Sequence, residues 1–506
     1  PLGNYTILYD GEGKITISGN AEIKEEQQGV INLTVKAPQL FLEIRKTNPA
    51  NPIRNIRVLM PGYRDTYKEQ QFRPGFLEMW KPVNTYRFMD WMLTNGSKIS
   101  KWSQRPTLDS ATFTNKGVPL EVMIDLCNKQ MINPWFCIPH SADDEYVRKF
   151  AEMIKDRLDP SLHVYLEYSN EVWNSMFEQN EYAAKKGVEL GIGPEDKPWE
   201  SAARYYVHRS LEIFKIFESV LGRNRLVRII AWQAVSDWWT DNMILPYEEA
   251  YKHADALAIA PYMGLAVGDE TKPSISEVEN WSVDQVLDHV ENVSLKEAIE
   301  AVKKQKVIAD KYKLRLICYE SGQHLVGILG GENNDKVTKL FLAANESKRM
   351  GELYTKYYDA WKSINPDLMC VFSSISSWDK WGSWGIAQNY DDTPENTPKL
   401  KATLEWIKNN PLTNSAPAVN LPTSIKASAG KSVDLNAEVS DDNASKMALL
   451  YCWQGPKSVK FTNINAKSTS ITFLNKGIYD ITFKVSDGFA TTTKQQGQYT
   501  ENGQTI

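Results

Sequence analysis

Between about residue 53 and residue 410, short apolar runs alternate with amphipathic stretches of helical period. No other feature of this 506-residue chain constrains its fold as much. Strands separated by helices read as a parallel sheet, because joining two parallel strands takes a crossover of about a dozen residues or more. The candidate strands are Ile56 to Met60, Tyr86 to Met89, Trp135 to Pro139, Val164 to Ser169, Val227 to Trp232, Ala256 to Ala260, Leu314 to Tyr319 and Met369 to Ser374. Between them, Asp143-Asp144-Glu145 opens a helix over Tyr146 to Leu158, with acids where the helix dipole favours them. Ala202 to Leu221 is a second helix, stopped by Gly222, and Ser294 to Tyr312 a third. Repeated β/α units of this number predict an α/β chain folded as a (β/α)8 TIM barrel with loop insertions. A doubly wound open sheet is the alternative, but no Gly-rich phosphate loop follows the first strand.

The flanks differ in character. Residues 1–52 are β-rich: Tyr5 to Tyr9 and Lys14 to Ile17 flank the turn signal Asp10-Gly11-Glu12-Gly13, and Val30 to Val35 and Leu40 to Ile44 alternate in the same way. The segment is too small for an independent sandwich and is expected to pack on a neighbouring domain. The 53–410 region is the expected barrel. Pro411 to Pro417 is a linker, and short alternating runs then predict an immunoglobulin-like β-sandwich over 418–506: Ser432 to Ala437, Met447 to Trp453, Ser470 to Phe473 and Tyr479 to Val485. Gly477-Ile478-Tyr479 followed by Val485-Ser486-Asp487-Gly488 resembles the last strands of PKD- and cadherin-like modules. That resemblance implies a spacer, a stabiliser or a sugar-binding unit.

Composition narrows the function. A net charge of −5 gives no reason to expect nucleic acid as a partner. No apolar run is long enough to span a membrane. The five cysteines are odd in number and lack metal spacing, so they read as small buried hydrophobes. Sixteen Trp and 23 Tyr exceed what a core of this size needs, and flat amphipathic rings suit sugar faces as well as packing. The chain starts Pro1-Leu2-Gly3, without Met or signal peptide, as a mature or trimmed form would. Nothing in it sets the oligomeric state.

Chemistry concentrates at two strand ends. Tyr165 to Tyr168 runs into Ser169-Asn170-Glu171, and Leu314 to Tyr319 runs into Glu320-Ser321-Gly322. Two carboxyl groups at the C-terminal tips of barrel strands are what glycoside hydrolysis requires: one protonates the leaving oxygen, the other attacks or activates water. The competing reading makes Glu171 a helix cap or an ion-pair partner of a loop arginine. These motifs resemble the fourth and seventh strand ends of clan A glycoside hydrolases, retaining enzymes on (β/α)8 barrels. The resemblance implies that Glu171 is the acid/base, Glu320 the nucleophile and Asn170 a ligand of the sugar 2-hydroxyl. It also implies that Tyr262 stands beside the nucleophile and that Trp378 floors the adjoining subsite. Two departures stand out: Val172 follows Asn170-Glu171 where many members carry Pro, and Arg87 falls too early in its strand run to be equated with the arginine some members use.

Other polar and aromatic groups follow strand ends. Asp90, His140 and Trp173 are candidate substrate contacts, and Trp91, Trp102, Trp238, Trp239, Trp381 and Trp384 crowd the same loops. Glu167, on the same strand face as Glu171, is a buried carboxylate that needs Arg87 or Arg228 as partner, in a structural or pKa-tuning role. Arg64, Arg105 and Lys380 are either uronate or sulfate ligands or solvated charges. His140, Asp143 and Asp144 could imitate a metal site, but the aspartates start a helix, so neither metal nor cofactor is expected. The expected activity is retaining hydrolysis of a β-linked polysaccharide or long oligosaccharide by a secreted or cell-surface protein. The competing expectations are a non-catalytic carbohydrate-binding protein on a degenerate barrel and a transglycosylase.

Overall fold

The computed structural model describes residues 2–421 and 427–496. Residues 422–426 and 497–506, assigned above to the C-terminal module, lie outside the described residues. The chain divides into two compact units, Pro1–Glu78 and Met79–Ile506.

In the first unit β1 (Gly3–Asp10), β2 (Gly13–Gln27), β3 (Val30–Thr47) and β4 (Arg54–Leu59) form one antiparallel sheet in the order β2-β3-β1-β4. Its buried side is built from Ile7, Ile15, Ile31 and Leu33. Two runs expected as separate strands fuse into β3, and β2 follows it through register shifts such as that between Gly19 and Ala21. Gly11 turns the chain between β1 and β2 at φ +87°, where a Cβ would lie 2.0 Å from the Pro52 carbonyl oxygen. Only glycine fits there. Ile56 to Met60, expected as the first parallel strand, instead falls largely in β4, antiparallel to β1 with Leu59 opposite Thr6. A short apolar run signals a strand but not which sheet it joins. The β-rich segment therefore runs past residue 52.

The next strands are β5 (Thr85–Arg87), β6 (Asn133–Ile138), β7 (Val164–Tyr168), β8 (Leu226–Ala231), β9 (Ala256–Ile259), β10 (Met263–Val267), β11 (Arg315–Cys318) and β12 (Gln323–Gly327). Six of them form a parallel sheet in the order β5-β6-β7-β8-β9-β11. Each strand lies beside its predecessor in the sheet, so the order never reverses, unlike a doubly wound sheet. β6, β7, β8 and β9 are buried along their whole length, as parallel strands covered on both faces must be. Trp135, Cys137, Tyr165, Val227, Ile229, Ala256, Ala258, Ile317 and Tyr319 meet in one cluster. Alternate residues of non-adjacent strands can converge in this way only if the sheet curls around them.

The last expected strand, Met369 to Ser374, is not a regular strand. Leu368 to Phe372 nevertheless runs alongside β11, through hydrogen bonds Cys318 N to Leu368 O (2.8 Å), Cys370 N to Cys318 O (3.0 Å) and Phe372 N to Ser321 O (2.9 Å). The predicted helices form where their caps put them. The Asp143 side chain accepts from Tyr146 N at 2.8 Å to start Asp144–Arg157. Pro198 sits at the start of Pro198–Leu221, which Gly222 ends, and Leu295–Lys311 fills the third prediction. No helix of the described residues is long and apolar enough to cross a membrane.

The C-terminal strands are β13 (Ala418–Asn420), β14 (Ser432–Asn436), β15 (Glu438–Ser440), β16 (Leu450–Gln454), β17 (Val459–Phe461), β18 (Ser468–Phe473), β19 (Ile481–Ser486) and β20 (Thr491–Gln496). They pair antiparallel as β14-β18-β17, β16-β19-β20 and β13-β15. Trp453 is the centre of their apolar cluster and stacks on Phe483 at 4.1 Å between centroids. These strands are joined to the parallel sheet: Asn133 Nδ2 donates to Gly488 O at 2.8 Å, and Met447 packs against the curled sheet's interior cluster. Trp453→Ala is expected to cost about 3–5 kcal/mol of local stability. Denaturant unfolding followed by near-ultraviolet circular dichroism would show it; an unchanged midpoint would count against this packing.

Candidate active site

The chain leaves β7 through two left-handed residues, Ser169 (φ 59°) and Glu171 (φ 41°), with Asn170 between them. Neither is glycine, and such backbone conformations persist only where surroundings enforce them. Beyond β11, Glu320 is followed by Gly322 at φ +122°, where a Cβ would lie 2.7 Å from the Tyr354 hydroxyl. That glycine lets the chain turn into β12, which pairs in parallel with β10. The two glutamate-bearing ends are thereby fixed by backbone geometry.

Arg87, the last residue of β5, is the hub between them. Its Nε and Nη2 grip the Glu167 carboxylate at 2.9–3.1 Å, its Nη1 donates to Glu320 Oε1 at 2.7 Å, and its Nη2 also reaches Asn170 Oδ1 at 2.8 Å. The guanidinium lies 5.4 Å from the Trp135 ring centroid and 5.0 Å from that of Tyr319. Glu167 is completed by Trp135 Nε1 (2.8 Å) and the Cys137 thiol (3.4 Å). A buried carboxylate satisfied on both oxygens meets the cost of its desolvation. Of the two arginines considered for Glu167, Arg87 is the partner; Arg228 pairs with Glu218 and Asp255.

The two site glutamates have different surroundings. Glu320 is buried, accepting from Arg87 on one oxygen and from the Tyr262 hydroxyl at 2.9 Å on the other. Glu171 accepts from the Tyr319 hydroxyl and from Asn174 Nδ2, each at 3.0 Å. Burial, and then the nearby Glu320 charge, push the Glu171 carboxyl up to about 7. One carboxyl is set to hold a proton near neutrality while the other is gripped by a cation and a phenol.

The remaining predicted residues divide. Asn170 and Tyr262 belong to the cluster, through Arg87 and Glu320 respectively. The Trp173 indole lies beside the Tyr319 hydroxyl that serves Glu171. Asp90 is exposed just past Arg87, close enough to sense the charges of Glu320 and Arg87. His140 is buried elsewhere: its ring faces Tyr182 at 5.0 Å, its charged neighbours are Glu178 and Lys98, and burial lowers its pKa. Trp378 is turned aside, with Nε1 bonded to Gly385 O and Lys399 over its ring. The ring packed beside Tyr262 is Trp384, at 6.0 Å, together with His324 at 5.4 Å. Arg105 is engaged by Glu121 and Lys380 by Asn333, while Asp144 pairs with Arg209.

The sequence offers Arg87 as a partner for Glu167 but does not place it at Glu320, because the expected strand Tyr86 to Met89 runs two residues past the observed end at Arg87. With the strand ending at Arg87, its position at a C-terminal tip is the same signal that marked the glutamates. Trp384 carried no such signal, because an irregular loop has no period from which to infer side-chain direction.

No family model matches the chain, and no curated protein matches it. Among solved structures it is similar to the endo-beta-1,4-mannanase from Thermotoga petrophila, with 9% identity over 86% of this chain and 97% of that one and a TM-score of 0.37. A second is the 4-O-alpha-L-rhamnosyl-beta-D-glucuronidase from Fusarium oxysporum, with 12% identity over 83% of this chain and 89% of that one and a TM-score of 0.41. A third is the PKD domain from KIAA 1837 protein, 19% identical over 19% of this chain and 97% of that one, with a TM-score of 0.15.

Proposed function

We propose that this protein is a retaining glycoside hydrolase acting on a β-linked polysaccharide or long oligosaccharide, with Glu171 as acid/base and Glu320 as nucleophile. The observation that carries the proposal is the asymmetry of the pair. Glu171 is held near neutrality by burial and by the Glu320 charge, while Glu320 is bonded to Arg87 and Tyr262. A carboxyl that keeps its proton suits the acid, and one bonded to a cation and a phenol suits the nucleophile. Glu320 attacks the anomeric carbon as Glu171 protonates the departing oxygen. Glu171 then takes a proton from water, which displaces Glu320 from the sugar. Asn170, bonded to Arg87 and to Asn95 at 3.1 Å, is read as the ligand of the sugar 2-hydroxyl. The curled sheet is read as part of a (β/α)8 barrel and the C-terminal strands as an immunoglobulin-like module, in a secreted or cell-surface protein.

The test is reducing-sugar release from a panel of neutral and anionic β-glycans, with the anomer of the first product read by proton NMR. A β-product from a β-linkage supports retention. Release of the α-anomer would overturn it, and no release from any glycan would overturn the hydrolase reading.

The pH dependence follows from the same pair. Because the Glu171 pKa is raised, its acid form persists to about pH 7 and is lost above it. Hence kcat/KM is expected to fall as pH rises through about 7. In Glu171→Ala that limb should vanish with aryl glycosides whose leaving group needs no proton. An unchanged limb in the variant would assign the titration to another group.

A further inference from the structure

Lys399, near the start of the helix Pro398–Asn409, is fully buried and has no carboxylate partner among the described residues. Its Nζ donates to the Ser383 carbonyl at 2.6 Å and to Asn345 Oδ1 at 2.9 Å, and stands 4.1 Å from the Trp378 ring centroid. Lysines are almost never fully buried unless paired with a charge. An ammonium held only by dipoles and a ring therefore needs a reason to be there. Burial alone holds its pKa well below the usual lysine range, with no charged group contributing.

The partners of Lys399 show what it secures. Ser383 belongs to the Trp-rich loop of residues 377–385, and its carbonyl also accepts from Gln323 Nε2 at 2.8 Å, three residues past Glu320. The next residue, Trp384, packs edge-on to His324 at 4.9 Å and to Tyr262 at 6.0 Å, and Tyr262 donates to Glu320. A continuous set of contacts thus runs from Lys399 to the site.

We propose that Lys399 is a titratable positioning residue whose ammonium clamps the Trp-rich loop and so sets the wall of rings, Trp384, His324 and Tyr262, beside Glu320. The catalytic consequence rests on the reading of Glu320 as nucleophile; the clamp itself does not. The elements packed against it carry other titratable groups. In the loop, Lys380 lies over Trp381, and Asp379 accepts from the Trp381 amide. On the helix Lys348–Ser363, burial pushes Tyr354 and Tyr358 upward, away from the range in which Lys399 changes charge. Burial lowers the His324 pKa, so it is neutral throughout that range. Loss of the Lys399 proton removes the cation–π attraction and weakens the bond to Ser383.

The test is tryptophan fluorescence of the full chain titrated from pH 7 upward, for wild type, Lys399→Met and Trp378→Phe, with circular dichroism marking unfolding. The expected result is a transition with a midpoint below the ordinary lysine value of about 10.4, present in wild type, smaller in Trp378→Phe, which lacks one of the reporting rings, and absent in Lys399→Met. No transition in folded wild type, or the same one in Lys399→Met, would overturn the clamp. In the kinetic arm at neutral pH, Lys399→Met is expected to lower kcat about tenfold or more, with a smaller change in KM. An unchanged kcat would overturn the positioning role. If wild type cleaves no glycan, the hydrolase reading fails, and the fluorescence arm still decides the clamp without substrate. If Lys399→Met does not fold, Lys399→Arg decides it: its guanidinium keeps its charge over the whole range, so the same transition in that variant would overturn the clamp.

Discussion

Glu320→Gln is expected to lose turnover by a factor on the order of 10^4 or more while keeping its fold. The amide is nearly isosteric, and its oxygen can still accept from Arg87 or Tyr262, which now hold Glu320 at 2.7 and 2.9 Å. It cannot form the ester through which a retaining mechanism passes. The same change removes the charge that helps raise Glu171, so residual activity should show its basic limb below pH 7. Initial rates on the best glycan of the panel, alongside circular dichroism, decide the matter. A folded Glu320→Gln with wild-type rates would remove Glu320 from the chemistry.

Arg87→Met is expected to damage both stability and activity. The guanidinium satisfies Glu167 and Glu320 together, and both carboxylates are buried. Removing one member of such an arrangement leaves uncompensated charge in the interior, at a cost of about 3–5 kcal/mol. Part of that cost is relieved if Glu167 takes up a proton, which makes the loss smaller in acid. Arg87→Lys should be an incomplete remedy, because an ammonium cannot reproduce the fork that reaches Glu167, Asn170 and Glu320 at once. Thermal unfolding at two pH values and kcat for both variants test this. A melting temperature like that of wild type for Arg87→Met would mean that Arg87 is not the hub described here.

Much of the site was legible because strand ends are legible. The short buried runs that form β7 and β11 mark where each strand stops, and Asn170, Glu171 and Glu320 lie just beyond those stops. Tyr262, past β9, was implied by the family resemblance rather than by its strand end, and it donates to Glu320. His140 follows a strand end too, yet its side chain is buried against Tyr182 rather than directed at the glutamates. Lying past a strand end does not fix where a side chain points. Trp378 and Trp384 show the same limit inside a loop, where six residues separate a ring packed under Lys399 from one packed on Tyr262.

By itself the sequence determined the alternation of strands and helices, the caps of the helices, the change of character after residue 410 and the two glutamate-bearing strand ends. All of these depend on neighbours a few residues away, through side-chain period, backbone preference and local hydrogen bonding. Only the tertiary structure decided that β4 pairs with β1, that Arg87 joins Glu167 to Glu320, and which tryptophan stands beside Tyr262. Those outcomes depend on contacts between residues scores to hundreds of positions apart. A local pattern shows which face of an element is apolar, but the partner that covers that face is chosen by packing across the whole chain.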